Sequence, residues 1–600
     1  MHRAFAGRDR GLALPTVFGL ALVLLIMIGA SMSVATTGTI RQDKDNDWNA
    51  ALAAAYAGVS EYQSRLANDS TYVQYGNTSS KFTQPTGTTS TVVPPIVANP
   101  AFSTSGTTWA TVPGSSDRAQ FRYEVDTSNY QSKGTLRLRS TGKVGTSVRT
   151  VVADLKQSGF INYLYFTDYE LQDPQFTGKT GCVNYLWGST KRDGPGCGYI
   201  QFGRSDAASD ADVFDGPVHS NDEFYICNAK FNRGIDSAST DTTNWIAASG
   251  CNPKGITVTK GDKIQIPATN TSDRTSTFTD QTRPGCLYTG PTKIRFYMSG
   301  STAMMNVVSP FTKATNPNPG EKTGVTLAQC GDLTAMHTDA GTDVPAIDQN
   351  LIYVQNARPD GSVNSWATGT YPAGFQCRNI ANVEGWSLGS VKFPIDNEQK
   401  PDYSTSTYPA YGCTKGDAYV SGVVGTAVTV STENYIYVTG DITYNDANED
   451  MLGLVGNNAV IVWNPVGTTT TTTTGCVRYN IFGQCIQYGP ITSSTFGSLV
   501  SDGYNRTINA AILSVQHTFT VQNFTQIPRG TLTVNGSIAQ KFRGPVGQGS
   551  NGYIKAYGYD ARFVTTAPPK FLTPASTTYG VTQFAGVAPA YTANGTATDK

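Results

Sequence analysis

The chain has 600 residues, and its 44 Lys and Arg residues balance its 44 Asp and Glu residues. A neutral chain has no overall basic field, which argues against nucleic-acid binding as its main activity, and it has no acidic tail to attract a cationic partner. Abundant Gly, Thr, Ser, Asn and Tyr favour many short strands joined by tight turns over a helix bundle. At this length, several folding units are expected.

The first predicted element is an uncharged, mainly apolar run, residues 12–35, which follows a basic leader, residues 1–11. About 20 apolar residues cross a bilayer as a helix, and the arginines of the leader favour a cytoplasmic N-terminus. The next segment is rich in Ala, and no proline occurs between Pro15 and Pro85. Helix propensity therefore predicts one transmembrane and amphipathic helix over residues 12–66, with the rest of the chain outside the cytoplasm.

A cleaved secretory signal is the alternative interpretation of this N-terminus. The small residues Ala30-Ser31-Met32-Ser33 provide a weak cleavage site after the apolar run. The long Ala-rich segment that follows favours a retained helix instead.

Two segments carry a family resemblance. The sequence Asp9-Arg10-Gly11-Leu12, before the apolar run, and the segment 48–62 after it resemble the N-terminus of PilX-type pilus assembly proteins, which are accessory or minor pilins of type IV pili. The resemblance implies that prepilin peptidase cuts between Gly11 and Leu12. It also implies partners among other pilin-like subunits. Most major pilins carry Glu at the fifth mature residue, where this chain has Thr16, so the resemblance favours an accessory or tip position.

The middle of the chain is predicted to contain a linker and a small sheet. Residues 67–115 are rich in Ser, Thr, Pro and Gly, which is typical of a linker. Residues 122–126, 135–142 and 148–155 alternate apolar and polar side chains with a period of two. An antiparallel β unit is therefore expected over residues 116–180, with its sheet packed on the predicted helix.

Residues 181–600 are expected to form an exported β-rich body. Strand-like segments of four to six residues recur between Gly, Asn and Asp, which fits a β-solenoid, with a β-sandwich as the alternative. The unbroken threonine run 468–474 is interpreted as a surface loop. The predicted fold class is thus mainly β, with one long N-terminal membrane or pilin-like α-helix, a small antiparallel sheet on that helix, and a β-solenoid-like body.

All ten cysteines lie in this body, and no CxxC pair is present, which argues against zinc or thioredoxin-like chemistry. An even number in one region favours disulfide bonds in an oxidising compartment, with buried free thiols as the alternative. We expect sequential neighbours to pair, above all Cys182 with Cys197 and Cys476 with Cys485. Closing a loop of about 15 residues stabilises a fold by roughly 3 kcal/mol. The candidate disulfide cysteines are Cys182, Cys197, Cys227, Cys251, Cys286, Cys330, Cys377, Cys413, Cys476 and Cys485.

Two clusters contain residue types that can bind a metal ion. His219 lies among several aspartates, and we interpret the segment as a polar turn that leads into a strand, with a metal site or a carboxylate–histidine pair as the alternative. Segment 446–450 has the oxygen spacing of a calcium loop. Met451 and Asn457 stand where an EF-hand needs Gly and Glu, so a solvated turn is favoured there.

The chain has no GxSxG, Walker or HExxH motif. We therefore predict no enzymatic activity, no catalytic residue, no metal and no cofactor. The leading hypothesis is an accessory pilin-like subunit in the bacterial cell envelope, anchored by a single membrane pass, whose body contacts host or surface glycans and proteins but no nucleic acid. A membrane-anchored adhesin that is never assembled is one alternative. An anchored glycan-active enzyme, with two carboxylates in one groove, is the other.

Overall fold

The structure is a computed structural model. It describes residues 40–68, 70–85, 92–95, 97–104, 107–130, 135–177, 200–203, 212–239, 245–248, 251, 253, 255–380, 383–403, 409–564, 566–574 and 578–598. The chain divides into two compact units. Unit 1 combines Met1–Ser158 with Ser576–Lys600, and unit 2 is the intervening Gly159–Ala575.

Unit 1 is a helix packed on an antiparallel sheet. Helix α1 spans Ile40–Asn68. Three short 3-10 turns follow it along the described chain, at Ser70–Gln74, Lys81–Thr83 and Pro100–Phe102. The strands are β1 (Ala110–Thr111), β2 (Ala119–Asp126), β3 (Thr135–Val144), β4 (Ser147–Ser158) and β35 (Thr578–Val587), and they lie in the sheet in the order β1-β2-β3-β4-β35.

Small residues let α1 lie close to this sheet. Ala51, Ala54 and Ala55 are completely buried on one face of the helix, at the spacing of successive turns. On the sheet, Gly142 faces them: a Cβ atom added there would lie 2.1 Å from the carbonyl oxygen of Ala51. The Ser140 hydroxyl, two residues away, donates a hydrogen bond of 2.8 Å to the carbonyl of Ala55. Apolar residues of α1, β2, β3 and β4 close the core around this contact.

The predicted single helix over residues 12–66 is wrong, and with it the predicted fold class. The helix that the structure describes begins at Ile40, and its first two turns carry charged residues between Arg41 and Asp47. Within the described ranges, no helix is both long and apolar enough to cross a membrane. The prediction rested on helix propensity and the lack of proline, neither of which specifies one continuous element. Residues 12–39 lie outside the described part of the chain.

Unit 2 is built mainly from short strands, joined by turns and, in its described residues, by three short α-helices. The helices are α2 (Pro174–Thr177), α3 (Thr271–Thr275) and α4 (Leu333–Met336). The strands are β5 (Tyr165–Tyr169), β6 (Asp212–Asp215), β7 (Val218–Ser220), β8 (Phe224–Ile226), β9 (Ala229–Phe231), β10 (Ile235–Ser237), β11 (Trp245–Ala247), β12 (Thr259–Lys260), β13 (Cys286–Thr289), β14 (Thr292–Ser299), β15 (Thr302–Val308), β16 (Asn316–Pro317), β17 (Gly324–Val325), β18 (Thr342–Pro345), β19 (Asn350–Gln355), β20 (Phe375–Ile380), β21 (Val383–Leu388), β22 (Val391–Phe393), β23 (Ala418–Val424), β24 (Ala427–Thr432), β25 (Tyr435–Tyr444), β26 (Met451–Gly456), β27 (Ala459–Val462), β28 (Val466–Tyr479), β29 (Cys485–Ser498), β30 (Arg506–Ser514), β31 (Phe519–Val521), β32 (Pro528–Phe542), β33 (Gly547–Gln548) and β34 (Asn551–Tyr559).

The core of unit 2 is a stack of coils of parallel strands. One ladder runs β13-β19-β24-β26-β30-β32-β5-β7-β10-β12, with every pairing parallel. One buried side chain from each of the first nine strands aligns in register: Cys286, Ile352, Val430, Leu454, Ile512, Ile538, Tyr165, Val218 and Ile235.

Two more parallel ladders contribute to the same core. The second includes β25, β30, β32, β34, β6 and β9, and the third is β14-β23-β25-β27-β31. The third aligns the buried side chains of Ile294, Val420, Val438, Val462 and Val521. Each strand of these ladders packs one face on the core and lies between two neighbouring strands. β-branched side chains such as Val and Ile suit this position, and they are frequent in the ladders.

The order of the coils differs from their order in the sequence. The chain enters unit 2 at β5, in the middle of the first ladder, and builds outward through β7 and β10 to β12. It resumes at the opposite end with β13 and returns to the middle at β32, which pairs with β5. The two ends of unit 2 therefore lie together: a Cβ atom added at Gly159 would be 3.4 Å from the ring of Pro574.

Candidate functional site

A long antiparallel hairpin, β28–β29, is exposed along most of its length. Its strands pair from Val466 with Ser498 at the base to Tyr479 with Cys485 near the tip. Threonine and serine hydroxyls meet across the strands, as Thr471 and Ser493 do at 2.9 Å. At about 3.4 Å per residue, strands of this length extend roughly 45 Å. The threonine run that was interpreted as a loop is thus the middle of β28, in keeping with the strand preference of β-branched residues.

The tip of this hairpin is apolar and exposed. Ile481 is 93% exposed and Phe482 is 81% exposed, and both lie in the turn between the strands. Tyr479 and Tyr488 are exposed just behind the turn. Arg478 is the single charged residue of the segment 466–498. An exposed apolar cluster with little charge is typical of an interaction surface.

The tip is held rigid by a side chain and a disulfide bond. The Asn480 side-chain oxygen accepts hydrogen bonds from the N–H groups of Phe482 and Gln484, both at 2.9 Å. The Asn480 N–H donates to the Gln484 carbonyl, and Gly483 N–H donates to the Asn480 carbonyl. A disulfide bond between Cys476 and Cys485 closes the base of the turn. The turn residue Gly483 has a φ of +77°, which glycine adopts without strain.

Three more disulfide bonds lie in unit 2, and all four join sequential cysteines of the described part of the chain. They are Cys227–Cys251, Cys286–Cys330 and Cys377–Cys413. The expected pair Cys182–Cys197 lies outside the described residues, as do the predicted processing residues Gly11 and Leu12.

A polar cleft of about 370 Å³ also lies in unit 2. Asp212 is the one acidic side chain among its described lining residues, and it accepts hydrogen bonds from Lys555 Nζ at 2.7 Å and from the Gly203 N–H at 2.9 Å. Burial alone would raise the pKa of Asp212, but Lys555 and Gly203 together hold it below its usual value. The alternative of a glycan-active enzyme needs two carboxylates that face each other in one groove. The described lining of this cleft has one carboxylate, Asp212, and it is paired with Lys555.

Unit 1 has a cleft of its own, of about 540 Å³. Arg139 donates to Glu124 at 2.6 Å, and the Arg122 guanidinium lies 3.8 Å from the ring centroid of Tyr591. Arg122 also donates to the carbonyl of Gly595. Arg122, Glu124 and Arg139 are therefore satisfied within unit 1.

His219 lies in β7, where it is completely buried. Its Nδ1 atom contacts Asp236 of the next coil, and its ring stacks on Phe166 at 5.5 Å between centroids. None of the aspartates that surround it in the sequence is this partner, because the parallel register of β7 and β10 places Asp236 beside it. His219 is thus half of a carboxylate–histidine pair, the alternative that the sequence analysis did not favour.

The Asp446–Asp450 segment closes on itself. The Asn448 N–H donates to Asp446 Oδ1 at 2.8 Å, and the Asp446 N–H donates to Asp450 Oδ2 at 2.5 Å. Across the described ranges, no three His, Cys, Asp or Glu side chains are grouped so that they could hold a metal ion.

The exposed apolar tip of the hairpin is a feature that sequence reasoning missed. A signal for it was present: the run Tyr479-Asn-Ile-Phe-Gly-Gln is bracketed by Cys476 and Cys485, with a turn-forming Asn and Gly inside. The cysteine pair was singled out for its spacing, but the apolar residues it encloses were not.

Comparison with known proteins gives little. No protein-family model matches this chain, and no curated protein matches it in sequence. Among solved structures, the chain is similar to the competence-associated pilin ComZ from Thermus thermophilus, with 12% identity and a TM-score of 0.26. The match covers 92% of this chain and 98% of that one. At that TM-score, the similarity establishes neither a shared fold nor a shared function.

Proposed function

We propose that this protein is an accessory, pilin-like component of a type IV pilus or a related filament of the bacterial envelope. The observation that carries the proposal is the close packing of α1 on the antiparallel sheet of unit 1. The segment 48–62, which resembles the PilX-type proteins, lies wholly within this helix. Four of its alanines, Ala50, Ala51, Ala54 and Ala55, are buried against the rest of unit 1.

The disulfide bonds support a location outside the cytoplasm. Four disulfide bonds join eight cysteines in the described chain, and such bonds persist in oxidising compartments. The uncharged run at residues 12–35 and the basic leader before it suit a membrane-held precursor with a cytoplasmic N-terminus. In this proposal, prepilin peptidase and other pilin-like subunits are the partners, and the protein itself catalyses no reaction.

A surface adhesin is the second candidate function, and the exposed apolar tip of β28–β29 favours it. An adhesin and an accessory pilin are compatible when the filament presents the adhesive surface. They differ in the fate of the N-terminus, since an adhesin that is never assembled has no need of processing at Gly11.

Mass spectrometry of the native N-terminus tests the proposal. We expect the mature chain to begin at Leu12 with a methylated amine, and to be recovered in the sheared filament fraction. A matched variant, Gly11→Val, should remain uncut and absent from filaments, because prepilin peptidase cuts after a glycine in the family that this leader resembles. A native chain that begins at Met1, or after Ala30, would contradict the pilin-like assignment.

A further inference from the structure

The inference concerns the tip of the β28–β29 hairpin and is independent of the pilin-like assignment. Ile481 and Phe482 project from the apex of a narrow, convex element, where a flat protein surface could cover only a small part of them. A fluid apolar phase surrounds such an apex without needing a complementary groove. The segment 466–498 contains no acidic residue, and its one charge, on Arg478, is positive.

Four of the five backbone N–H groups from Asn480 to Gln484 are already satisfied internally, and the Ile481 N–H is the exception. The N–H groups of Asn480, Phe482, Gly483 and Gln484 all donate to oxygens within the turn, at 2.9 to 3.0 Å. The Asn480 side-chain amide donates in turn to the Gln484 side chain at 3.0 Å. Polar backbone groups that enter an apolar phase need such partners, because no water is available there. A turn that binds a polar partner or only water has no such requirement.

We propose that this tip inserts into the interfacial region of a lipid bilayer. Ile481 and Phe482 enter the acyl boundary, while Tyr479 and Tyr488 lie at the level of the headgroups, where amphipathic aromatic rings are favoured. Arg478 lies at the same level and attracts anionic lipid headgroups. The Cys476–Cys485 disulfide bond keeps the turn preformed, so little conformational entropy is lost on insertion.

The hairpin strands limit how deep the tip can go. Among the described strands, β28 and β29 form a two-stranded sheet, so both outer edges carry unpaired backbone groups. Such edges do not enter the hydrocarbon core. Insertion therefore stops at the turn, as a shallow and reversible contact.

Fluorescence quenching from lipid tests this directly. The full chain is first placed in nanodiscs of ordinary lipid, so that any affinity of residues 12–35 for lipid is already satisfied. Vesicles of phosphatidylglycerol and phosphatidylcholine with brominated acyl chains are then added separately. The added emission of the Phe482→Trp variant is its emission minus that of the unsubstituted chain. We expect these vesicles to quench at least half of this added emission.

The control is Tyr371→Trp, at an exposed aromatic residue elsewhere in unit 2, whose added emission should stay unquenched. The double variant Ile481→Ser/Phe482→Ser should bind vesicles at least tenfold more weakly, with an unchanged melting temperature. Replacing Tyr371 with Ser should leave vesicle binding unchanged. If Trp at position 482 stays unquenched by brominated lipid, or if the double variant binds vesicles as the unsubstituted chain does, the proposal is wrong.

Discussion

Burial determines the protonation of Asp417, a completely buried side chain in unit 2. Its Oδ1 atom accepts hydrogen bonds from the Tyr435 N–H at 3.1 Å and from Asn434 Nδ2 at 2.5 Å. Its Oδ2 atom has no hydrogen-bond partner among the described residues. Burial raises the pKa of Asp417 to about 7, against which these hydrogen bonds act only in part. Two other buried carboxyls, Asp273 and Glu398, also have a pKa of about 7 because of burial.

This raised pKa predicts a pH-dependent effect of Asp417→Asn. In the unfolded chain the carboxyl titrates near pH 4, so between about pH 4 and 7 the folded state binds more protons and the contribution of Asp417 to stability falls as pH rises. We expect Asp417→Asn to be more stable relative to the unsubstituted protein at pH 8 than at pH 5, by up to about 2.5 kcal/mol. Urea unfolding at both pH values measures this. The exposed control Asp280→Asn should show no such difference, and an equal effect of Asp417→Asn at both pH values would contradict the prediction.

At the same scale, the sequence indicates which residues carry chemistry but not which of them meet. His219 was singled out together with the aspartates of residues 206–222, yet its partner is Asp236 in a neighbouring coil. Coil stacking brings residues from separate turns side by side, and the register depends on loop lengths that periodicity does not reveal. Cysteines are the exception, since the disulfide bonds of the described chain join nearest neighbours in sequence.

Among the elements, the contact between α1 and β3 depends on Gly142. A methyl group at this position would lie 2.1 Å from the Ala51 carbonyl oxygen and 2.3 Å from the Ala55 nitrogen, both of which belong to the helix backbone. A helix backbone cannot yield as a flexible side chain does. We therefore expect Gly142→Ala to destabilise unit 1 by about 2 kcal/mol or more, measured by thermal or urea unfolding. The control Gly586→Ala, in β35 with open space around it, should change stability by no more than about 0.5 kcal/mol; an equal effect would contradict the role of Gly142.

Strand positions in unit 1 could be predicted from the sequence more accurately than the ends of its helix. Residues 122–126, 135–142 and 148–155, read as alternating, lie within β2, β3 and β4. The predicted bounds of α1 were wrong because helix propensity does not depend on which part of a helix a sheet will cover. Strand β28 was missed because seven consecutive threonines have no apolar alternation, although an exposed hairpin needs none.

At the scale of the whole molecule, unit 2 is an insertion into a hairpin of unit 1. Ser158 and Thr578 are register partners in the antiparallel pair β4–β35, so a tight turn could join them directly. We expect a chain in which residues 40–158 are joined to residues 578–598 by Asn-Gly, a two-residue turn suited to hairpins, to fold alone. Hydrogen exchange should show protected amides in β2, β3 and β4. A control with the same turn and the Gly142→Ala substitution should lose this protection. Rapid amide exchange throughout the shortened chain without that substitution would show that unit 1 cannot fold by itself.

The pairing of β5 with β32 also determines the order of events as the chain is made. Strand β5 is the first of unit 2 to be synthesised, yet its neighbour on one side is completed only at Phe542. Before β32 is made, the first ladder consists of two separate parts, β5-β7-β10-β12 and β13-β19-β24-β26-β30. The edges of β5 and β30 that will pair with β32 are still open. Their joining requires pairing between strands far apart in sequence, which is slow, so we expect the middle of the finished stack to form late in folding.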